Sequence, residues 1–200
     1  MIYKILSYIY PFRIKKFFRY SELKIASNYF ARKMKKCGEN FFVDSGFQLR
    51  GPEYMEIGKN FKGKENLILN CIDSDHVVRT EPELIIGDNA YFGANCHIGC
   101  LKSIKIGKNF TCGRNVCVID HNHGDGTLNE KDKHPLERIL SSKGGITIGD
   151  SVWLGENVVV TSGVKIGNNV VVGANSVVTS DLEENGIYAG VPARLVRIME

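Results

Sequence analysis

The sequence predicts an all-β solenoid in which short parallel strands wind into a β-helix. The main evidence lies in residues 146–179, where an aliphatic residue recurs at every sixth position. These positions are Ile148, Leu154, Val160, Ile166, Val172 and Val178. A period of six fits neither a helix of about 3.6 residues per turn nor a simple strand alternation, and it is typical of hexapeptide repeats. Glycine follows four of these residues, which predicts corners where a Cβ would have no room.

The repeat pattern divides the chain into three segments. Residues 1–38 are predicted to form a basic amphipathic helical segment, residues 39–185 the β-helix, and residues 186–200 a short C-terminal tail. The period of six is lost between residues 121 and 145, where we expect a long loop excursion. A step of eight residues from Ile98 to Ile106 predicts two extra residues at one corner.

The N-terminal segment is strongly basic, since residues 1–38 carry ten Lys and Arg residues and a single acidic residue, Glu22. Pro11 is expected to separate a short leader from the helix. Apolar residues fall near one face of this helix: Ile14, Phe17, Phe18, Ile25 and Tyr29. Such a helix suits a membrane surface, but the same face could pack on the coil, and both interpretations stay open. Nucleic-acid binding is not expected, because no nucleic-acid motif accompanies the charge.

The composition points to a cytoplasmic protein. The sequence has no run of eighteen apolar residues that would predict a transmembrane helix, and no cleavage motif follows the apolar start. The 6 cysteines are scattered and form no CxxC pair, so we expect small buried residues in a reducing compartment. Cys96, His97 and Cys100 could be taken for a metal cluster, but repeat spacing explains them better, and no metal is predicted.

The excursion is the best candidate for the chemistry. It interrupts a rigid scaffold, and it holds three of the 5 histidines of the chain, His121, His123 and His134. Long departures from a regular fold are usually functional or disordered. Titratable side chains in such a departure therefore predict an active site.

Three motifs carry a family resemblance. They are Val118-Ile119-Asp120-His121 before the excursion, residues 148–155 (IGDSVWLG) after it, and residues 173–179 (GANSVVT) followed by 189–194 (AGVPAR). Over about residues 55–200 the chain resembles the hexapeptide-repeat acyltransferases, in the sugar and polysaccharide O-acetyltransferase branch that includes galactoside and maltose acetyltransferases. The resemblance implies a left-handed parallel β-helix, whereas general chirality rules alone would favour right-handed crossovers.

The resemblance also implies a mechanism. His121 matches the catalytic histidine of the family, which would take the proton of a sugar hydroxyl as that oxygen attacks acetyl-CoA. Asp120 and His123 are possible supporting residues, and His123 is the competing candidate for the base. The oxyanion would be held by donors such as backbone N–H groups.

The coenzyme site is expected along the later turns of the coil. The positions that match coenzyme-binding residues of the family are Trp153, Ala174, Thr179, Arg194 and Arg197. Glu156 departs from the family, which often has serine there, and an acidic side chain is unexpected beside a polyanion. The family also implies a homotrimer with sites between neighbouring coils.

The expected reaction is acetyl transfer from acetyl-CoA to a hydroxyl of a saccharide. The basic N-terminus favours a cell-envelope polysaccharide or its precursor, met at the cytoplasmic membrane surface. An N-acetyltransferase acting on an amino sugar or small antibiotic is the main alternative, and a non-catalytic scaffold is another. A zinc enzyme resembling γ-carbonic anhydrases would need His76, His97 and His121 to converge, and their unequal spacings do not match a turn of three hexapeptide repeats.

Overall fold

The chain forms a three-sided prism of parallel strands with one long helix packed against its first turns. The computed structural model describes residues 12–75 and 78–200; the predicted leader, Pro11 and His76 lie outside this description. Each turn of the coil adds one short strand to each of three sheets, and strands of successive turns pair in parallel. The predicted solenoid is confirmed.

The first sheet contains β1 (Lys36–Cys37), β4 (Met55–Ile57), β9 (Glu83–Ile86), β12 (Ser103–Ile106), β17 (Ile146–Ile148) and β20 (Lys165–Ile166). The second contains β2 (Phe42–Val43), β5 (Lys62–Gly63), β10 (Tyr91–Phe92), β13 (Thr111–Cys112), β18 (Trp153–Leu154), β21 (Val171–Val172), β23 (Gly186–Ala189) and β24 (Arg194–Ile198). The third contains β3 (Gln48–Arg50), β6 (Ile68–Cys71), β11 (His97–Cys100), β14 (Cys117–Ile119), β19 (Val159–Val160) and β22 (Val177–Val178).

Two inward-facing rows of side chains fill the prism. The six predicted aliphatic positions from Ile148 to Val178 are buried. A second buried row, which the period of six did not single out, lies two residues earlier in each repeat: Ile146, Val152, Val158, Val164, Val170 and Ser176. Removing this apolar surface from water is the main driving force for winding the coil.

The corners turn at the third residue after each inward aliphatic residue. The residues with left-handed φ angles in residues 146–179 are Ser151 (57°), Asn157 (58°), Gly163 (81°), Asn169 (55°) and Asn175 (59°). The glycines that directly follow the aliphatic residues do not adopt positive φ. A Cβ on Gly149, however, would lie 2.8 Å from the backbone nitrogen of Asn168 in the next turn. Close stacking of turns, and not the corner itself, therefore requires glycine there, which corrects the sequence-based expectation.

Successive turns differ in length. Val160 pairs with Val178, which lies three hexapeptide repeats further along the chain. Ile98 pairs with Val118, which lies two positions beyond three repeats. The two additional residues predicted between Ile98 and Ile106 account for the longer turn.

Helix α1 (Phe12–Ala31) packs on the start of the coil. Ser27 is buried at this contact, where its hydroxyl donates to Leu23 O (2.7 Å) and accepts from the Val43 N–H (2.9 Å). The predicted apolar face is not the one that packs, because four of its members are exposed: Phe17, Phe18, Ile25 and Tyr29. The side chain of its fifth member, Ile14, is outside the described part. No helix within the described ranges is both long and apolar enough to cross a bilayer.

The predicted excursion leaves the coil after β14 and returns at β17. Its ends are tied together by an antiparallel pair, β15 (Asn122–His123) and β16 (Leu140–Ser141). Its distal part contains two 3-10 turns, Leu128–Glu130 and Pro135–Glu137. The excursion thus begins and ends beside the predicted catalytic residue.

A smaller hairpin leaves the coil earlier, where the sequence is apolar but irregular. It consists of β7 (Ser74–Asp75) and β8 (Val78–Arg79), which pair antiparallel. It lengthens the second turn, so that Ile98, the partner of Leu69 in the next turn, lies well beyond three hexapeptide repeats along the chain.

The C-terminal segment 186–200 adds two strands to the second sheet. Strand β23 continues the parallel order, and β24 folds back antiparallel to it. Between them, the Gly190 N–H donates to the Ser176 hydroxyl (3.0 Å) and the Ala193 N–H donates to Val177 O (2.8 Å). The AGVPAR loop is therefore anchored to the last strand of the third sheet.

Candidate active site

Asp120 is a buried carboxylate at the corner that follows the third sheet. Its oxygens accept hydrogen bonds from the backbone N–H groups of Leu101 (2.7 Å), Lys102 (2.8 Å) and Ser103 (2.9 Å) in the preceding turn. A fully buried carboxylate needs such donors, since an unpaired one is costly to desolvate. Asp120 therefore holds the longer corner in a defined shape and is itself held in place.

The same carboxylate meets the His121 ring. His121 Nδ1 lies 3.2 Å from Asp120 Oδ1, and the His121 side chain is only 12% exposed. A carboxylate beside Nδ1 favours the tautomer with the proton on that nitrogen, which leaves the lone pair on Nε2. The arrangement presents Nε2 of an oriented imidazole as a proton acceptor.

His97 lies on the same patch of surface as His121. His121 Cε1 and His97 Nε2 lie 3.2 Å and 3.6 Å from the position that a Cβ of Gly99 would occupy. Burial, and then repulsion from His121, lowers the pKa of His97. His121 lies four positions beyond Cys117, the register partner of His97 in the next turn, so the two rings approach each other across the corner that follows the third sheet.

The proximity of two histidines does not create a metal centre by itself. No group of three His, Cys, Asp or Glu side chains suited to a metal ion occurs among residues 12–75 and 78–200. The third histidine of the zinc alternative, His76, is outside these ranges. Cys71, Cys96, Cys100 and Cys112 are buried free thiols, as expected for small residues that fill the prism.

The other two histidines of the excursion have different surroundings. His123 lies in β15, is exposed, and pairs in register with Leu140. His134 is also exposed, and its Nδ1 accepts a hydrogen bond from the Leu136 N–H (3.2 Å) at the start of a 3-10 turn. Of the three histidines, His121 alone has a carboxylate partner among the contacts of the described residues.

Two of the predicted coenzyme residues share one row on the outer face of the second sheet. Consecutive register partners in this row are Thr111, Trp153, Val171, Ile187 and Arg197. Trp153 is 55% exposed, and the next residue, Leu154, is buried, so the indole lies on the outer face. Three strand spacings separate Trp153 from Arg197, roughly 14 Å. The row offers an aromatic surface at one end and a guanidinium group at the other.

The remaining predicted coenzyme residues lie at corners and edges. Ala174 is exposed at the corner between the second and third sheets. Arg194 is exposed and pairs with Ala189 next to that corner. Thr179 follows the third sheet directly, in the same column as the corner of His121 but two turns later, about 10 Å away.

The unexpected acid, Glu156, is paired. It accepts hydrogen bonds from Arg114 Nε (3.0 Å) and Nη2 (3.3 Å), and this bidentate contact raises the pKa of Arg114. Arg114 lies one turn before Glu156, at the same corner as Ala174. The Arg114 guanidinium compensates the negative charge of Glu156, which was the argument against a polyanion at this position.

His121 and Trp153 lie on different sides of the prism within one chain. His121 lies at the corner after the third sheet, and Trp153 lies on the outer face of the second sheet. A single chain therefore presents two candidate half-sites, one around His121 and one around Trp153, on different sides of its prism.

Comparison with known proteins decides the family. The family model described as "Bacterial transferase hexapeptide (six repeats)" matches residues 145–180, and "Hexapeptide repeat of succinyl-transferase" matches residues 83–119. WbbJ of Escherichia coli K12, assigned as a lipopolysaccharide biosynthesis O-acetyl transferase, is 35% identical over 153 residues, which span 74% of each chain. The chain belongs to the hexapeptide-repeat O-acetyltransferases.

Other relatives agree with this membership. The galactoside O-acetyltransferase of E. coli K12 is 36% identical over 126 residues, covering 56% of this chain and 62% of that enzyme. The solved structure of AntD, an N-acyltransferase from Bacillus cereus in complex with dTDP and 3-hydroxybutyryl-CoA, superposes with a TM-score of 0.70 at 20% identity, covering 90% of this chain and 88% of AntD. At that identity AntD shows the fold alone. The protein therefore has the left-handed parallel β-helix of its family, and its membership of that family makes it an acyltransferase.

Sequence reasoning missed three features of the candidate site. His97 was considered only as a metal ligand, because the approach of its ring to His121 depends on how two turns stack. Gly99 beneath the two rings and the Arg114 partner of Glu156 carried no sequence signal, because both depend on contacts between turns.

Proposed function

We propose that this protein is an acetyl-CoA-dependent O-acetyltransferase that acts on a hydroxyl of a saccharide with His121 as the general base. The observation that carries the proposal is the oriented pair, in which buried Asp120 contacts Nδ1 of a nearly buried His121. Nε2 accepts the proton of the hydroxyl as its oxygen bonds to the thioester carbonyl carbon, and Asp120 stabilises the resulting imidazolium. The carbon–sulfur bond then breaks, and the imidazolium gives the proton to the leaving sulfur of CoA. The names of the two relatives, lipopolysaccharide and galactoside O-acetyltransferases, support a saccharide acceptor.

The residues on the outer face of the second sheet fit acetyl-CoA. When bound, acetyl-CoA supplies the activated acyl group as a thioester. The exposed Trp153 indole offers an apolar surface for the acyl and pantetheine end, and Arg194 and Arg197 offer guanidinium groups for phosphates. The Arg114–Glu156 pair keeps an uncompensated negative charge away from this region.

Replacement of His121 by alanine tests the role of the base. We expect His121→Ala to lower acetyl transfer by about 100- to 10,000-fold, the usual contribution of a positioned base. CoA formation with galactoside and oligosaccharide acceptors is the measurement. His134→Ala, an exposed histidine of the same excursion, is the matched control and should retain the wild-type rate.

Near wild-type transfer by His121→Ala would rule the proposal out, and loss only in His123→Ala would move the role of base to that residue. The mass of the product with paired hydroxyl and amine acceptors, such as glucose and glucosamine, separates O-transfer from N-transfer.

We further propose that the active protein is a homotrimer with sites between chains. The support is the separation of the half-sites, because a neighbouring chain can bring a Trp153 face to a His121 corner that its own chain cannot reach. Closed cyclic symmetry would create three equivalent sites. Light scattering should give about three times the chain mass of 22.3 kDa; a monomer at assay concentration would contradict the proposal.

We also propose that α1 brings the enzyme to the cytoplasmic face of the membrane, where an envelope polysaccharide or its precursor is acetylated. Phe17 (66% exposed), Phe18 (60%) and Ile25 (71%) lie outside the coil contact, and exposed Lys16 and Lys24 lie on the same helix. Apolar side chains beside basic ones suit an anionic lipid surface.

Vesicle sedimentation tests this contact. The protein should sediment with vesicles that contain phosphatidylglycerol, and less with phosphatidylcholine alone, because both charge and apolar insertion contribute. The double variant Phe17→Ser/Phe18→Ser should lose the binding. Leu128→Ser removes a still more exposed apolar residue, from the excursion, and should retain the binding. Equal sedimentation of all variants would exclude the helix as the contact.

A further inference from the structure

The outer face of the third sheet leads in a straight row towards His121. Register pairing aligns Arg50 with Asn70, Asn70 with Gly99, and Gly99 with Ile119, the second residue before His121. The neighbouring row, from Leu49 to Val118, faces the inside of the prism. Because successive side chains of a strand point to opposite faces, the row from Arg50 to Ile119 faces outward.

A cavity of about 270 Å³ lies at the Arg50 end of this row. It is lined by Gln48, Leu49, Arg50, Ile68, Leu69 and Asn70. It therefore lies on the side of His121 that faces the N-terminus of the coil, whereas the proposed coenzyme residues all follow His121 in the sequence.

Asn70 contributes a polar atom that the protein does not satisfy. Its side-chain oxygen Oδ1 is buried and has no hydrogen-bond partner among the described residues. A buried carbonyl oxygen without a hydrogen-bond donor is unfavourable. A hydroxyl group of a bound molecule would satisfy it.

Gly99 keeps the path from Asn70 to the base open. It lies between the Asn70 strand and the His121 corner, and a Cβ there would lie only 3.2 Å from both His121 Cε1 and Ile119 Cγ1. Any side chain at this position would press against the imidazole that accepts the proton.

Arg50 supplies a positive charge at the far end of the row. The side chain is exposed, and it takes part in none of the ion pairs found within residues 12–75 and 78–200. Two strand spacings separate Arg50 from Gly99, about 10 Å. A guanidinium group that is not already paired suits a phosphate.

We infer that this row is the acceptor subsite and that the acceptor is a phosphorylated saccharide. Its phosphate lies at the Arg50 guanidinium, its hydroxyl groups meet Asn70, and the acetylated hydroxyl lies above Gly99 at His121. The inference rests on the proposed function, because it assigns a substrate class to the same site. A sugar 1-phosphate and a nucleotide sugar share the required chemistry.

Binding measurements on the full chain test the assignment without knowing the natural acceptor. Isothermal titration calorimetry compares two phosphorylated derivatives of galactose, galactose 1-phosphate and UDP-galactose, with the neutral sugar methyl β-galactoside. We expect at least one phosphorylated sugar to bind roughly tenfold more tightly than methyl β-galactoside, the contribution of one charge-assisted contact. Tighter binding of UDP-galactose than of galactose 1-phosphate would indicate a nucleotide sugar, and the reverse a simple sugar phosphate.

Two variants assign the contacts. Arg50→Gln should abolish the preference for the phosphorylated sugar, and the control Arg32→Gln, an exposed arginine just beyond α1, should retain it. Asn70→Leu should weaken binding of the sugars without lowering the midpoint of thermal unfolding, because Oδ1 has no partner in the protein to lose. A purely structural role for Asn70 would instead lower that midpoint.

The inference is overturned if neither phosphorylated sugar binds more tightly than methyl β-galactoside, or if Arg50→Gln retains the preference. Its failure differs from failure of the proposed function. If CoA binding and His121-dependent formation of CoA from acetyl-CoA persist, only the acceptor subsite is wrong; if they are absent as well, the enzymatic assignment itself fails.

Discussion

Asp120 occupies the point where the coil and the candidate active site meet. The same carboxylate accepts three backbone N–H groups of the preceding turn and contacts His121 Nδ1. Removing the carboxylate would therefore affect both the fold and the orientation of the base, so a truncating substitution cannot separate the two roles. A conservative replacement changes the charge with little change in shape.

Asp120→Asn should lower both stability and activity. The amide presents an N–H group towards backbone donors, so at least one buried donor loses its acceptor, and we expect a loss of about 2–3 kcal/mol in unfolding free energy. Acetyl transfer should fall as well, since Nδ1 loses its anionic partner. Thermal unfolding and CoA formation measure the two effects. Unchanged stability would mean that the carboxylate is not needed at the corner.

His97 gives the site a pH-dependent stability. Its pKa is lowered in the folded protein, mainly by burial. Below the unfolded value of about 6.5 the unfolded chain binds more protons than the folded one, so folding stability is lost as the pH falls from neutral towards the folded pKa.

The unfolding midpoint of the wild type should therefore drop more between pH 7.5 and pH 5.5 than that of His97→Asn, which lacks the titrating group. Scanning calorimetry at the two pH values gives this comparison, in which the remaining histidines contribute to both proteins. Equal drops would show that His97 titrates alike in the folded and unfolded states.

At the scale of elements, the corners of the coil are built from stacked asparagines. Asn115 Nδ2 donates to Asn157 Oδ1 (2.9 Å), and Asn157 Nδ2 donates to Asn175 Oδ1 (2.8 Å). All three residues have φ between 58° and 59°. Asparagine serves here both for its tolerance of left-handed backbone and for the amide that links successive turns.

Replacements of Asn157 separate these two contributions. Asn157→Ala places a Cβ in left-handed backbone and removes both amide contacts, which should cost about 2–3 kcal/mol. Asn157→Gly removes only the amide contacts and should cost about half as much, since glycine adopts positive φ freely. The measurement is chemical unfolding of both variants; a glycine variant as unstable as the alanine variant would leave the backbone argument without support.

At the scale of the whole molecule, the arrangement of half-sites predicts complementation between inactive variants. If His121 from one chain works with Trp153 from its neighbour, mixed trimers of His121→Ala and Trp153→Ala contain some intact sites. Random exchange in a closed ring would restore roughly a quarter of the sites. Acetyl transfer after unfolding and refolding the two variants together, compared with each refolded alone, measures the effect.

No recovery of activity in the mixture would place both residues in the same site of one chain. Light scattering on the refolded mixture is the control, because it shows whether trimers have formed.

Much of the fold could be predicted from local sequence. The period of six required a solenoid, because only inward aliphatic residues at that spacing bury a continuous core, and the positions from Ile148 to Val178 are buried as predicted. The step of eight residues predicted the longer turn. The glycines were predicted for the wrong reason, since contacts with the next turn, and not the local turn, exclude a Cβ.

The candidate site could be predicted only in part. His121 follows from the motif and from its place at the break in the repeat. Its contact with Asp120 does not, because adjacent side chains on an extended chain point to opposite sides until a corner turns one of them. The packed helix face was also misjudged, since apolar and basic residues alone do not reveal which side of α1 meets the coil.

The amino-acid sequence alone was sufficient for the solenoid, the family resemblance and the residue proposed as the base, because each is encoded by residues near one another in the chain. The tertiary structure alone shows His97 beside His121, Arg114 on Glu156, the open row from Arg50 to Gly99, and Trp153 on a different side from His121. These relations join residues from different turns, and their distances depend on the length of each turn and on the side of the strand from which each side chain points.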